Sequence, residues 1–287
     1  MKFAFISSHR RTFRVSSLCR YLGVSRSGFY AWANRPLPRR EDLNDALVEK
    51  IREVHRRSRG TYGSPRVHRA LIRRGVACGV HRVARLMQRE SIVAACQFRS
   101  RYTSTTHRDI PAANDLLKRD FTASAPNQVW VSDMTFLSTR QGWMHLCVVL
   151  DLFSRRCVGW ATGTRPNHQL ADKALTRAIE RRRPQPGLVF HSDRGSAYLS
   201  YAVQELLDDH QITPSTSRPG NCLDNAVAES FFKTLKSEMF YRDRFTTHEQ
   251  ARRAVFDWIE SFYNPTRLHS TLGYRSPDEF ERMERVA

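Results

Sequence analysis

The sequence predicts an α/β protein: a mixed five-stranded sheet with flanking helices, preceded by an all-α region with helix-turn-helix character. Three observations carry this expectation. Residues 1–95 hold apolar positions at helical spacing around short breaks. Residues 129–161 hold three apolar runs separated by very short gaps, and helix and strand signals then alternate to residue 216. A chain of 287 residues is also long enough for roughly two domains.

The first 13 residues carry no clear signal. In the next segment, Val15, Leu18 and Leu22 have helical spacing, Gly23 supplies a turn, and Ser25 is placed to cap a second helix carrying Phe29 and Trp32. Two short helices about a glycine turn fit a helix-turn-helix over 1–38, with Arg26 at the start of the second helix, where base edges are read. An ordinary helical hairpin has the same pattern. Pro36 and Pro38 break the chain. A basic three-helix unit is then expected over 40–95. Its first helix, at 41–57, has Leu43, Leu47, Ile51 and Val54 on one stripe. Ser64-Pro65 starts the second, with Val67 and Leu71 inward and Arg66 and Arg69 elsewhere. The third, at 80–90, turns Val83 and Leu86 inward and Arg82 and Arg85 outward. Residues 96–120 read as a linker, rich in Arg, Ser and Thr.

The part from 121 to 287 changes character. Strands are expected at 129–137, 143–151 and 156–161, and the short gaps STRQG and LFSR make neighbours antiparallel. Asn167 caps a helix to about residue 183. A strand at 187–192, a helix at 197–210 and a short strand at 211–216 follow. Helices at 224–239 and 247–263 complete the pattern.

Charge separates the two parts. Lys and Arg number 47 against 28 Asp and Glu, a net charge of +19. Residues 1–120 hold 26 basic and 9 acidic side chains, while residues 121–287 hold 21 and 19. A basic N-terminal part on a nearly neutral remainder points to one part that grips a polyanion and another that does chemistry. Nearly all of these N-terminal cations are arginine, which suits bidentate phosphate contact. The longest apolar run covers only residues 146–150, which excludes a membrane span. The N-terminal apolar stretch is too short for a signal peptide, so a cytoplasmic, nucleoid-associated protein is expected. The six cysteines and eleven histidines are scattered, which argues against a disulfide framework and a structural zinc site.

Three carboxylates stand in awkward places. Asp133 lies inside the apolar strand VWVSDMTFL, Asp193 at the end of the strand LVFHSD, and Glu229 one turn into the helix after NCLDNAVAES. Burying an unpaired carboxylate is costly, and strand ends are where α/β sheets place ligands. Singly each has a plain explanation: a pair with an arginine, a turn cap, or an i,i+4 pair with Lys233. Together, two strand aspartates and a helical glutamate fit a site for two Mg²⁺ ions about 3.5–4 Å apart.

The stretches VWVSDMTFL, VVLDLFSRRCVGW, HSDRGSAY, SRPGNCLDNAVAESFFKTLKSE and YNPTRLHSTLGYRSPDEF resemble the catalytic core of insertion-sequence transposases of the IS3 family, relatives of retroviral integrases with a ribonuclease-H-like fold. The 35 residues between Asp193 and Glu229 are the spacing of that group's acidic triad. TYGSPRVHRALIRRGVACGVHRVARLMQ resembles the helix-turn-helix that precedes the core in the family's downstream reading frame. The resemblance implies that Asp133, Asp193 and Glu229 are the catalytic, metal-binding triad, with Mg²⁺ as cofactor and Mn²⁺ as a substitute. It makes Lys236 a DNA contact, and Lys233 shares its helix face. Asp151 lies outside the triad and reads as structural, and His191 either orients the site or packs. The resemblance further implies DNA partners (element terminal repeats and target), an upstream reading-frame product or a fusion with it, and a homo-oligomer assembled on DNA. The expected activity is metal-dependent 3′-end cleavage and strand transfer. A nuclease that only hydrolyses and a non-catalytic DNA-binding regulator are the alternatives.

Overall fold

The computed structural model describes residues 2–34, 39–95, 114–118, 120–217 and 225–284. Most of the expected linker and residue 224, the expected start of the helix bearing Glu229, lie outside them. The chain divides into two compact units, residues 1–52 and 53–287.

In the first unit, α1 (Lys2–His9), α2 (Val15–Leu22) and α3 (Arg26–Ala33) enclose a small core of Ile6, Cys19 and Phe29. The segment that gave no clear signal is thus a helix; its apolar residues form one short run, Phe3 to Ile6, which shows no helical period. Gly23 closes α2 at φ 62°, a left-handed conformation that favours glycine. Ser25 caps α3 by accepting a hydrogen bond from the Gly28 N–H at 3.0 Å. The long helix α4 (Arg39–Arg57) carries Leu47, Val48, Ile51 and Val54 on its buried stripe, whereas Leu43 is exposed.

The second unit opens with α5 (Ser64–Arg73) and α6 (Val80–Arg89). Gly63 is the N-cap of α5 and Ser64 its first residue, one position earlier than the Ser-Pro signal implied. Val67, Leu71, Val83, Leu86 and Met87 are buried as expected.

The sheet contains β1 (Val129–Thr139), β2 (Gly142–Asp151), β3 (Cys157–Gly163), β4 (Val189–Ser192) and β5 (Thr213–Thr216), in the order β3-β2-β1-β4-β5. The first three strands are antiparallel, and β4 and β5 run parallel to β1. This is the mixed ribonuclease-H-like sheet expected from the sequence. The β1–β2 turn is tighter than expected, because Thr139 pairs with Gly142 and only Arg140 and Gln141 lie between them. α7 (His168–Arg182), capped by Asn167, packs Leu170, Ala171, Ala174, Leu175 and Ala178 on Trp130, Cys147, Val149 and Val158. α8 (Tyr201–Asp209) links β4 to β5, and α9 (Ala226–Glu238) lies against β1.

α10 (His248–Phe256) begins with a reciprocal Thr247–Gln250 capping box and continues as a π-helix over Asp257–Tyr263, burying Trp258, Ile259, Phe262 and Tyr263. A final helix, α11 (Pro277–Glu284), was not anticipated, although Ser276-Pro277-Asp278-Glu279 is a helix-start pattern.

Gly159 marks the closest approach of sheet and helix. A Cβ there would lie 2.4 Å from the Ala174 carbonyl oxygen and 2.8 Å from the Ala178 nitrogen. Both are backbone atoms of α7, so relief requires the helix to move. Gly159→Ala is expected to destabilise the protein by about 1–3 kcal/mol. Thermal unfolding of the variant checks this, and an unchanged midpoint would show that α7 yields freely.

Residues 59–73 of the expected basic unit are docked on the rest of the second compact unit by Arg59, Tyr62 and Arg73. Arg59 makes two hydrogen bonds to Asp257, at 2.6 and 3.2 Å, and stacks over Phe262. The hydroxyl of buried Tyr62 accepts from the Leu268 N–H at 2.7 Å. Arg73 donates to the Tyr274 carbonyl at 2.7 Å and pairs with Glu279.

Candidate active site

Parallel pairing of β1 with β4 sets the site. Val131 stands opposite His191, so Asp133, two residues on, comes beside the end of β4, where Asp193 follows Ser192. Asp193 is held by its own turn, its Oδ1 accepting the Gly195 N–H at 3.0 Å. A Cβ on Gly195 would lie 2.8 Å from that oxygen, so the turn closes around a residue without a side chain. Glu229 is in the first turn of α9. That helix is tied to β1 by Asn225, whose Nδ2 donates to the Ser132 carbonyl at 3.0 Å.

Asp193 and Glu229 both act electrostatically on Asp133. Burial, then Asp193, then Glu229 push the Asp133 carboxyl up to about 8, against the Met134 N–H that it accepts at 2.7 Å and the Lys236 ammonium. Burial also raises the Glu229 pKa. Burial lowers the Lys236 pKa, partly offset by Asp133. The side chains are not drawn into a closed ligand set: among the described residues, no three His, Cys, Asp or Glu groups are gathered closely enough to hold a metal ion. The donors are hard carboxylate oxygens, the kind that Mg²⁺ prefers, and Asp133 is unsettled by like charge that a cation would relieve.

Buried polar groups brace the site from behind. The Tyr198 hydroxyl is 2.9 Å from Ser132 Oγ, which donates to the Val148 carbonyl at 2.8 Å. His191 is buried between Ser215 Oγ, at 2.9 Å from Nδ1, and Ser217 Oγ, at 3.2 Å from Nε2, and so stitches β4 to β5. Asp151 has the structural role expected of it, accepting the Asn127, Phe153 and Ser154 N–H groups beside Arg182. Sequence reasoning missed Ser132, Tyr198 and Asn225. Each sits in a motif already singled out, one to five residues from a residue of the expected triad, but only the fold shows that they interlock.

The expected DNA contacts fall into different settings. Lys236 lies over the Phe136 ring, 4.8 Å from its centroid, and Lys233 is exposed on the same helix. Phe136 and Trp143, 56% and 57% exposed, form an edge-on pair beside them. Arg26 and Arg85 are exposed, and Arg82 is partly buried. Arg66 lies 3.7 Å from Glu238, and Arg69 stacks on Tyr274.

The sheet order and its flanking helices are those of an integrase-type core. Family models described as "Integrase core domain" match residues 123–222 and 210–277, and one described as "HTH-like domain" matches residues 42–101. The chain is 38% identical over 283 residues to "Transposase InsF for insertion sequence IS3A" of Escherichia coli K12, covering 98% of each chain. It is also 38% identical to "Insertion element IS600 uncharacterized 31 kDa protein" of Shigella sonnei, covering 92% of this chain and 97% of that protein. A solved simian T-cell lymphotropic virus intasome, in complex with PP2A regulatory subunit B56 gamma, aligns at 15% identity and a TM-score of 0.48, over 80% of this chain and 74% of that one. The chain belongs to the IS3 family of insertion-sequence transposases. No helix among the described residues is long and apolar enough to cross a membrane.

Proposed function

We propose that the chain binds the ends of its element, cleaves them to expose 3′-hydroxyls and joins these to target DNA, with Asp133, Asp193 and Glu229 as its metal-binding catalytic triad. The observation that carries this is the parallel pairing of β1 with β4, which brings Asp133 beside Asp193, with Glu229 in the first turn of α9 near enough to act on Asp133. In cleavage, water attacks the phosphodiester and the element's 3′-oxygen leaves as a hydroxyl. In joining, that hydroxyl attacks a target phosphodiester, forms a new P–O bond and displaces the target's 3′-oxygen, which takes up a proton. Mg²⁺ held by the triad would activate the attacking oxygen and stabilise the leaving one, with Mn²⁺ as a substitute. Asn225 and the Asp193 turn hold the carboxylates in place, and Lys236 sits where it can meet a phosphate beside them.

The helical parts grip DNA, with Arg26, Arg82 and Arg85 as contacts and Arg66 and Arg69 nearer the core. Joining two ends calls for a homo-oligomer on DNA and, as the family resemblance implies, an upstream reading-frame product. An assay on DNA carrying the terminal repeats tests the function: joined products support it, while cleavage without joining identifies a hydrolase.

Lys236→Ala is expected to weaken engagement of the DNA end and lower joining, with little change in stability, because a half-exposed cation–π contact contributes only about 0.5–1 kcal/mol. Full joining with a large drop in melting temperature would make Lys236 a structural residue. Binding by the whole chain should also weaken steeply with salt. With four to eight phosphate contacts, the log–log slope is roughly −4 to −7. A slope near −1 would remove the arginine-bearing helices from the interface.

A further inference from the structure

α9 bears the triad glutamate on one face and opens on a cavity of about 260 Å³ with another. The cavity lining includes Ser230 of α9, Arg66 of α5, Arg155 of the β2–β3 turn, and Arg267 and His269 from the segment after the π-helix. Three guanidinium groups therefore surround one space. Two of them meet the Glu238 carboxylate, which Arg267 holds in a two-pronged pair at 2.7 and 2.6 Å and from which Arg66 lies 3.7 Å.

Among the described residues, Arg155 has no such carboxylate partner close by. Its Nη2 donates to the Phe121 carbonyl at 3.1 Å, while its Nη1 is buried without a hydrogen bond. The Asp151 carboxylate acts on it electrostatically but is engaged with backbone N–H groups and Arg182. His269 adds no charge. Burial, then Arg267, Arg66 and Arg155, hold its pKa well below the usual histidine range, so the ring is neutral. It is an acceptor toward Arg267, with Nε2 3.5 Å from Nη1. Positive charge in excess of negative, planar donors and a hydroxyl at the rim match a tetrahedral oxyanion.

We propose that this cavity is a phosphate-binding pocket in which Arg66, Arg155 and Arg267 close on one phosphate group, with the Ser230 hydroxyl as a further donor. The four residues come from the helical unit, the sheet, the catalytic helix and the C-terminal segment, so a bound phosphate joins parts that are distant in sequence. Two sources offer this chemistry: a backbone phosphate of bound DNA, and a free phosphate group.

The test uses the full chain and two variants that leave the Glu238–Arg267 pair intact: Ser230→Asp, which puts a carboxylate at the rim from an exposed position, and Arg66→Gln. In the first arm, melting is followed in inorganic phosphate against chloride at matched ionic strength. Phosphate at ten times its Kd should raise the wild-type midpoint by roughly 3–5 °C, and Ser230→Asp should lose that shift. In the second arm, duplexes carry one neutral methylphosphonate at each position in turn. One position should weaken wild-type binding about tenfold, and the same position should be silent in both variants. A response in the second arm identifies DNA as the source. A response in the first alone identifies a free anion. No difference between wild type and variants in either arm overturns the pocket. Both arms read binding and not cleavage, so neither depends on the triad assignment.

Discussion

Asp193→Asn is expected to lose cleavage and joining by at least about a thousandfold while DNA binding stays near wild type. The substitution keeps the side chain's size and an oxygen for the Gly195 N–H, which Asp193 accepts at 3.0 Å, so the turn after β4 survives. What disappears is one of the charges that a divalent cation needs. Loss of like charge should also relieve Asp133, whose carboxyl Asp193 helps push up to about 8, so the variant should be no less stable than wild type. Replacing Mg²⁺ with Ca²⁺ in the wild type should have a related effect, binding with little turnover, because Ca²⁺ coordination is looser. Gel-based cleavage and joining assays with a parallel binding titration decide the matter. Normal cleavage by Asp193→Asn in Mg²⁺ would sink the assignment of all three carboxylates.

Glu238→Ala should destabilise the protein by about 3–5 kcal/mol, the cost of breaking a buried ion pair from one side. Glu238 and Arg267 are almost wholly buried, and both oxygens of the carboxylate receive guanidinium hydrogen bonds, at 2.6 and 2.7 Å. Without Glu238, Arg267 is left charged and buried near Arg66. The melting midpoint should fall by roughly 10 °C. The double variant Glu238→Leu/Arg267→Met should recover much of that loss, because the apolar pair leaves no orphaned charge. A drop of under 2 °C for Glu238→Ala would mean that water reaches Arg267 and the pair is not structurally important.

The sheet was legible because its strands carry long apolar runs and its turns are short, features that local sequence records directly. Asp133 stood out for a similar reason: a carboxylate within VWVSDMTFL violates the local pattern, and such violations tend to mark function. Ser132, Tyr198 and Asn225 violate nothing. A serine in a strand, or a tyrosine and an asparagine near a turn, is ordinary until the fold makes them hydrogen-bond partners across tens of residues. Arg66 shows the same limit from the other side. Its place on a basic helix pointed to DNA, yet it lies 3.7 Å from Glu238, a residue 172 positions away. Helical spacing says which way a side chain faces its own helix, not what that face will meet. α2 and α3 are as short as α1 and α11, eight residues each, but the Gly23 turn and Ser25 cap mark them, whereas α1 has no such punctuation and α11 only a Ser-Pro start.

If α5 and α6 grip the element end as proposed, the docking of residues 59–73 through Arg59, Tyr62 and Arg73 turns them into a ruler. If α5 and α6 swung on a slack tether, the protein would know which repeat it held but not how far along the duplex to act. Clamped to the framework that carries the carboxylates, they would set a constant span between the DNA they engage and the bond that the proposed triad breaks. Extra base pairs placed between repeat and element end would not be taken up by the protein. The scissile position would stay a set number of base pairs from the repeat and move inward from the DNA terminus.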